Sequence, residues 1–155
     1  MFVNHPIAEM FEIIQQLELT HIQLHGDETE ETIQTIKQRL PSLVIWKVIK
    51  VKSDLSTDIK KMLEHSKADH FLLDKDAGSQ VGGAGIPFNW ESIQSNLDSQ
   101  SISKKIILAG GINFENVQKA VAQNAFCIDI NSGVESSPAI KDETKIKQIM
   151  QSLRA

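Results

Sequence analysis

The chain has 155 residues, of which 41% are hydrophobic and 23% charged, with 16 basic and 20 acidic side chains. This composition is that of a globular domain with a real core, so we expect one domain over residues 1–155 and exclude a disordered chain. Mild acidity without a basic cluster argues against nucleic acid and against an anionic membrane surface as partners. The single Cys127, the absence of zinc-site spacing and the lack of an apolar stretch of about 18 residues predict a metal-free, soluble, cytoplasmic protein.

Short apolar runs alternate with amphipathic stretches along the chain. The runs have the length of buried strands and lie at residues 1–3, 21–24, 43–49, 70–73, 105–109 and 126–130. Apolar residues at helical spacing follow each of them, within residues 7–17, 33–40, 55–63, 90–97, 114–121 and 146–153. Asp27 and Asp142 stand where the second and the last of these helices should be capped. Six consecutive β-α pairs predict a parallel α/β fold.

The positions of the glycines distinguish the two parallel folds that fit this pattern. A doubly wound dinucleotide-binding sheet would have a glycine-rich turn after its first strand, and residues 3–6 read Val-Asn-His-Pro. Instead Gly110 and Gly111 follow the fifth run, and Ser132 and Gly133 follow the sixth. Barrels of the (β/α)8 type often bind phosphate with backbone N–H groups after their last two strands. These four residues are therefore the predicted phosphate site, with a plain tight turn as the alternative for each glycine alone.

Five motifs resemble, in order, those of phosphoribosylanthranilate isomerase. They read Gln-Leu-His-Gly-Asp-Glu at 23–28, Leu-Leu-Asp at 72–74, Gly-Gly-Ala-Gly-Ile-Pro-Phe-Asn-Trp at 82–90, Leu-Ala-Gly-Gly-Ile-Asn at 108–113 and Asp-Ile-Asn-Ser-Gly-Val-Glu at 129–135. The resemblance covers essentially the whole chain. It implies a (β/α)8 TIM barrel of which only six β-α units, the third to the eighth, are present, with residues 1–4 in the place of the family's third strand.

The resemblance also implies a reaction. It is the Amadori rearrangement of N-(5-phosphoribosyl)anthranilate to 1-(2-carboxyphenylamino)-1-deoxyribulose 5-phosphate in L-tryptophan biosynthesis. An acid protonates the ribose ring oxygen, the ring opens to an imine, and a base removes the C2 proton. No cofactor is implied, because the iminium nitrogen is itself the electron sink. The partner is a phosphorylated small molecule, and its reaction requires an acid, a base and a phosphate anchor.

Individual residues take roles from these motifs. Asp74, at the end of an apolar run, is the candidate general acid, and the start of a turn is its alternative role. His25 and Asp129 are candidate substrate contacts, with hydrogen bonds inside the fold as the alternative. Gly83 belongs to a glycine-rich loop that is expected to cover the site and contact the substrate. Cys127 is expected to be a buried, inert thiol, since apolar residues flank it.

Two residues of the family's active site have no counterpart in this sequence. They are the general-base cysteine of the first strand and the anthranilate-binding arginine of the second unit. We therefore expect negligible isomerase activity from the chain as given, and self-association through barrel edges that lack their neighbours. Two alternatives stay open: a related phosphate-binding enzyme such as indole-glycerol-phosphate synthase, and a fragment or split-barrel protein that keeps only the phosphate-binding half-site.

Overall fold

A computed structural model describes residues 1–51, 57–75 and 105–154. Its five α-helices are α1 (Ile7–Gln16), α2 (Glu30–Arg39), α3 (Thr57–His65), α4 (Val117–Val121) and α5 (Glu143–Ser152) among the described residues. The strands there are β1 (His21–Leu24), β2 (Val44–Val51), β3 (His70–Lys75), β4 (Ile106–Leu108), β5 (Cys127–Ile128), β6 (Glu135–Ser137) and β7 (Ile140–Lys141). A 3-10 turn at Ser132–Val134 follows β5. The run predicted as a helix at 90–97 lies outside the described residues.

The principal sheet is parallel, and its strands are neighbours in the order in which the chain makes them. The order is β1-β2-β3-β4-β5, and Phe2 adds a parallel bridge to Leu24 at the outer side of β1. A doubly wound sheet reverses its strand order at a switch point, whereas the wall of a barrel does not. The predicted parallel α/β fold is confirmed, and the strand order is of the barrel type.

Both faces of this sheet are apolar, as expected for parallel strands. One face packs against the helices, where Ile45, Phe71 and Leu108 are fully buried. The opposite face, here called the inner face, holds a second buried cluster at Val48, Leu72, Ile107 and Ala109. Because side chains alternate along a strand, Asp74 shares the inner face with Leu72. The candidate acid Asp74 therefore lies on the inner face, at the carboxyl end of β3.

Two expectations about local structure are wrong. Thr29, not Asp27, caps α2, and its side-chain oxygen accepts from the Thr32 N–H. The cap therefore stands two residues later than predicted. Asp27 instead donates its N–H to Asn4 Oδ1 at 2.6 Å. Cys127 is exposed, not buried. It lies on β5, which is the last strand of the sheet among the described residues, so no further strand covers it there. Asp142 caps α5 as predicted, because its Oδ1 accepts from the N–H groups of Thr144 and Lys145.

A row of aromatic side chains crosses the sheet near the amino ends of its strands. The His70 ring stacks on Phe126 with 4.1 Å between centroids and meets Trp46 edge-on at 6.3 Å. The His70 Nδ1 atom is buried and has no hydrogen-bond partner among the described residues. Burial lowers the pKa of His70 below its ordinary value of 6.5; Asp69 opposes that shift, while His21 and Lys105 add to it.

We expect this histidine to make the protein less stable in mild acid. The unfolded chain binds a proton at His70 more readily than the folded chain does, so the stability present above pH 6.5 is lost as the pH falls towards the folded pKa. Urea unfolding from pH 5 to pH 8 should show this slope, and it should be smaller in His70→Phe. The control is His65→Phe on the exposed surface of α3, which should keep the parental slope. Equal slopes in all three proteins would show that His70 is not the group concerned.

Candidate active site

The carboxyl ends of the parallel strands bring three predicted side chains to one side of the sheet. His25 directly follows β1, Asp74 is the penultimate residue of β3, and Asp129 directly follows β5. Burial raises the pKa of the Asp129 carboxyl, the charge of Asp74 raises it further, and Lys141 and His25 lower it. The Asp129 carboxyl is therefore close enough to feel the charges of both other groups, and the Asp74 charge disfavours its ionised form.

Gly110 packs directly against the candidate acid. Its φ is +81°, and a Cβ at this position would lie 2.8 Å from the Lys75 nitrogen and 2.9 Å from Asp74 Oδ1. Only glycine can take both this backbone conformation and this approach without strain. Gly110 therefore borders Asp74, whereas the next residue, Gly111, lines a cleft.

That cleft has a volume of about 420 Å³ and brings together three of the four predicted phosphate residues. Gly111 enters it from the loop after β4, and Ser132 and Gly133 enter it from the 3-10 turn after β5. A Cβ on Gly133 would overlap the carbonyl group of Ile112, so the two loops are in close contact through this glycine. Lys145 of α5 also lines the cleft, and its Nζ donates to the Glu135 carbonyl at 2.6 Å.

Two side chains outside the predicted site hold these loops. Asn116 donates to the Gly111 carbonyl at 3.0 Å and accepts from the Asn113 N–H at 2.8 Å, which fixes the turn after β4. Lys141 donates to the Asn131 carbonyl at 2.9 Å, to Asn131 Oδ1 and to Glu135 Oε1 at 2.7 Å. Its hydrogen bond lowers the pKa of Glu135. The backbone around Ser132 is thus anchored to β7.

The loop that follows β1 is organised around a buried ion pair. Lys47, in the middle of β2, donates to Glu28 Oε2 at 3.1 Å and to the Gly26 carbonyl at 2.6 Å. Glu28 in turn accepts from the N–H groups of Asn4 at 2.9 Å and of Gly26 at 3.0 Å. Burial alone would raise the pKa of Glu28, but these hydrogen bonds and the Lys47 charge outweigh it and hold the pKa below 4.5.

This ion pair is not predicted from the sequence, although Lys47 is a visible signal for it. A lysine inside the apolar run 43–49 must either reach solvent or find a partner, because an unpaired buried charge is very costly. Its carboxylate partner stands 19 residues earlier in the chain, where only the folded structure identifies it.

The last of the predicted site residues, Gly83, lies within 76–104, outside the described residues. In the described ranges 1–51, 57–75 and 105–154, no three His, Cys, Asp or Glu side chains are placed to hold a metal ion. No helix of the same ranges is long and apolar enough to cross a membrane.

A family model and individual relatives agree on the family that this chain resembles. The family model for N-(5'-phosphoribosyl)anthranilate (PRA) isomerase matches residues 1–152. The chain is 38% identical to the tryptophan biosynthesis protein TrpCF of Haemophilus influenzae, over 99% of this chain and 31% of that protein. It is also 38% identical to N-(5'-phosphoribosyl)anthranilate isomerase of Clostridium acetobutylicum, over 99% of this chain and 71% of that protein. The chain thus spans about a third of the first relative and just over two thirds of the second.

Solved structures give the same result. The phosphoribosylanthranilate isomerase of Thermotoga maritima superposes with a TM-score of 0.79 at 28% identity, covering 99% of this chain and 70% of that one. An isomerase solved in complex with reduced 1-(o-carboxyphenylamino)-1-deoxyribulose 5-phosphate superposes with a TM-score of 0.75 at 27% identity, covering 99% and 69%. Because the family model matches almost its whole length, this chain belongs to the phosphoribosylanthranilate isomerase family.

Proposed function

We propose that this chain serves the isomerisation of N-(5-phosphoribosyl)anthranilate, an aldose–ketose rearrangement in L-tryptophan biosynthesis. The observation that carries the proposal is the placement of Asp74, Asp129 and His25 at the carboxyl ends of the strands, on the sheet that also carries the glycine-lined cleft. The family relationship supports the reaction, and the phosphorylated analogue bound by the solved relative supports a phosphorylated substrate. Because tryptophan precursors are made inside the cell and the chain has one cysteine, we place the protein in the cytoplasm.

In this proposal each residue has a distinct role. Asp74 protonates the ribose ring oxygen, so that the C1–O bond breaks and the anthranilate nitrogen forms an iminium with C1. Loss of the C2 proton to a base then gives the enolamine, which tautomerises to the ketose. Asp129 and His25 contact the sugar and anthranilate part, and Gly83 contributes from its loop. Gly111, Ser132 and Gly133, which line the cleft, hold the phosphate through backbone N–H groups, and Gly110 adjoins them.

We also propose that the chain corresponds to the third to eighth β-α units of the family's barrel. The sequential parallel order from Phe2 to β5 and the 70% share of the Thermotoga structure support this assignment. The family's cysteine base and anthranilate-binding arginine would then have to come from the first two units. The open sheet edges, at Phe2 and β5 among the described residues, favour self-association.

The decisive experiment measures the decay of substrate fluorescence in two samples. One holds the purified chain alone, and the other holds the chain with a polypeptide of the first two β-α units of the Clostridium relative. Without a base we expect a rate about 10²–10⁴-fold lower in the first sample than in the second. Light scattering should show association in the first sample and less in the second. Phosphate binding without turnover in either sample would favour a phosphate-binding half-site and overturn the isomerase.

The phosphate site predicts a contrast between two substitutions. Gly111→Val should abolish the binding of inorganic phosphate, because Gly111 lines the cleft and its φ of 72° strains a β-branched residue, which would shift the backbone N–H groups there. Ser132→Ala should weaken binding by about tenfold at most, since the backbone N–H groups remain. Calorimetric titration measures both, and thermal unfolding checks that each variant folds. Unchanged phosphate affinity in a folded Gly111→Val would refute the placement.

A further inference from the structure

The His25 imidazole is held by a side chain of its own strand. Gln23 and His25 are two residues apart, so both project from the same face of the sheet at β1. The Nε2 atom of Gln23 lies 3.0 Å from His25 Nδ1, and the pair is partly buried. This contact joins the candidate substrate histidine to a residue to which neither the reaction chemistry nor the phosphate cleft assigns a role.

The backbone on both sides of His25 is fixed as well. The Phe2 N–H donates to the Gln23 carbonyl at 2.8 Å, and the His25 N–H donates to the Phe2 carbonyl at 2.9 Å. Beyond the histidine, the N–H and the carbonyl of Gly26 bind Glu28 and Lys47. The ring can therefore change its direction only by rotation about its own side-chain bonds, and the Gln23 contact opposes that rotation.

With the Gln23 amide nitrogen turned towards the ring, this contact favours one position of the ring proton. An amide nitrogen donates hydrogen bonds and accepts none, so the Nδ1 atom that faces it must offer its lone pair. A neutral imidazole carries one proton, which then stands on Nε2, at the edge of the ring turned away from Gln23. His25 accordingly presents an N–H donor just beyond the carboxyl end of β1, on the same side of the sheet as Asp74 near the end of β3 and Asp129 after β5.

We propose that Gln23 is a positioning residue that holds His25 as the Nε2–H tautomer, so that His25 donates to an oxygen of the bound substrate. The identity of the acceptor as a hydroxyl or carboxylate oxygen of a phosphorylated sugar derivative rests on the function proposed above. The tautomer itself does not, because it follows from the contact between the Gln23 amide and the His25 ring.

Nuclear magnetic resonance on protein with ¹⁵N-labelled histidine tests the tautomer, at a pH well above the ordinary imidazole pKa of about 6.5. A His25→Gln variant assigns the signals. In the parent protein His25 should show an unprotonated Nδ1 and a protonated Nε2. Gln23→Glu places a carboxylate, which only accepts, opposite Nδ1, so the proton should move to Nδ1 or both nitrogens should carry one. Gln38→Glu on the exposed side of α2 makes the same change of charge and should leave the parental pattern.

A parental Nδ1–H, or an unchanged pattern in Gln23→Glu, would overturn the assignment. The binding arm uses reduced 1-(o-carboxyphenylamino)-1-deoxyribulose 5-phosphate and inorganic phosphate as probes. Gln23→Glu should lower the affinity for the analogue by at least about tenfold and leave the affinity for phosphate unchanged. A general loss of structure would lower both affinities. A parent that fails to bind the analogue would contradict the proposed function, and the tautomer measurement would still decide the role of Gln23.

Discussion

Lys47→Met is expected to lower the free energy of unfolding by about 3–5 kcal/mol, as is typical when one partner of a buried ion pair is removed. The side chains of Lys47 and Glu28 are only 9% and 3% exposed, so water cannot replace the lost partner. The substitution also leaves the Gly26 carbonyl without its donor. The cost arises mainly from the Glu28 charge that remains buried, and urea unfolding at pH 7 measures it.

Two further variants separate this cause from general disruption of packing. Adding Glu28→Gln to Lys47→Met neutralises the remaining charge and should recover part of the stability. Lys147→Met breaks an ion pair on α5 whose side chains are 67% and 81% exposed, and it should change stability very little. If Lys47→Met costs no more than Lys147→Met, the pair does not hold the loop after β1.

The course of the backbone could be predicted from the sequence wherever hydrophobic pattern alone decides it. The runs at 43–49 and 70–73 became β2 and β3, because a parallel strand buries both faces and therefore reads as an unbroken apolar segment. The same rule failed for Cys127. Its flanking residues are apolar, but its exposure depends on what lies beyond β5 and not on its neighbours in sequence.

The candidate site shows the same division. His25, Asp74 and Asp129 could be placed together in advance, since the carboxyl ends of parallel strands meet at one edge of the sheet. The contacts that orient the loops could not. Lys141 reaches Asn131 across 10 residues and Lys47 reaches Glu28 across 19, and such pairings are selected by side-chain geometry in the folded chain. The motifs thus identified the groups that we propose to face the substrate, and the structure identified the contacts that hold the loops around them.

Asp74→Asn is expected to reduce turnover by about 10²–10⁴-fold, because the amide cannot supply the proton that opens the ribose ring. The comparison is made in the sample that shows turnover, either the chain alone or the chain with the first two β-α units. Asparagine has nearly the same shape, so the close packing of Gly110 against this side chain should survive. Phosphate affinity should therefore stay at the parental value, which separates loss of the acid from loss of structure.

The same substitution has a second consequence that needs no turnover. The charge of Asp74 helps to raise the pKa of Asp129, so its removal should lower that pKa, as ¹³C-detected titration of the Asp129 carboxyl would show. Asp129→Asn is the matched comparison, since it removes the other carboxylate of the pair. If Asp129→Asn stops the reaction while Asp74→Asn preserves it, the general acid is Asp129, whose burial already favours the protonated form needed to donate a proton.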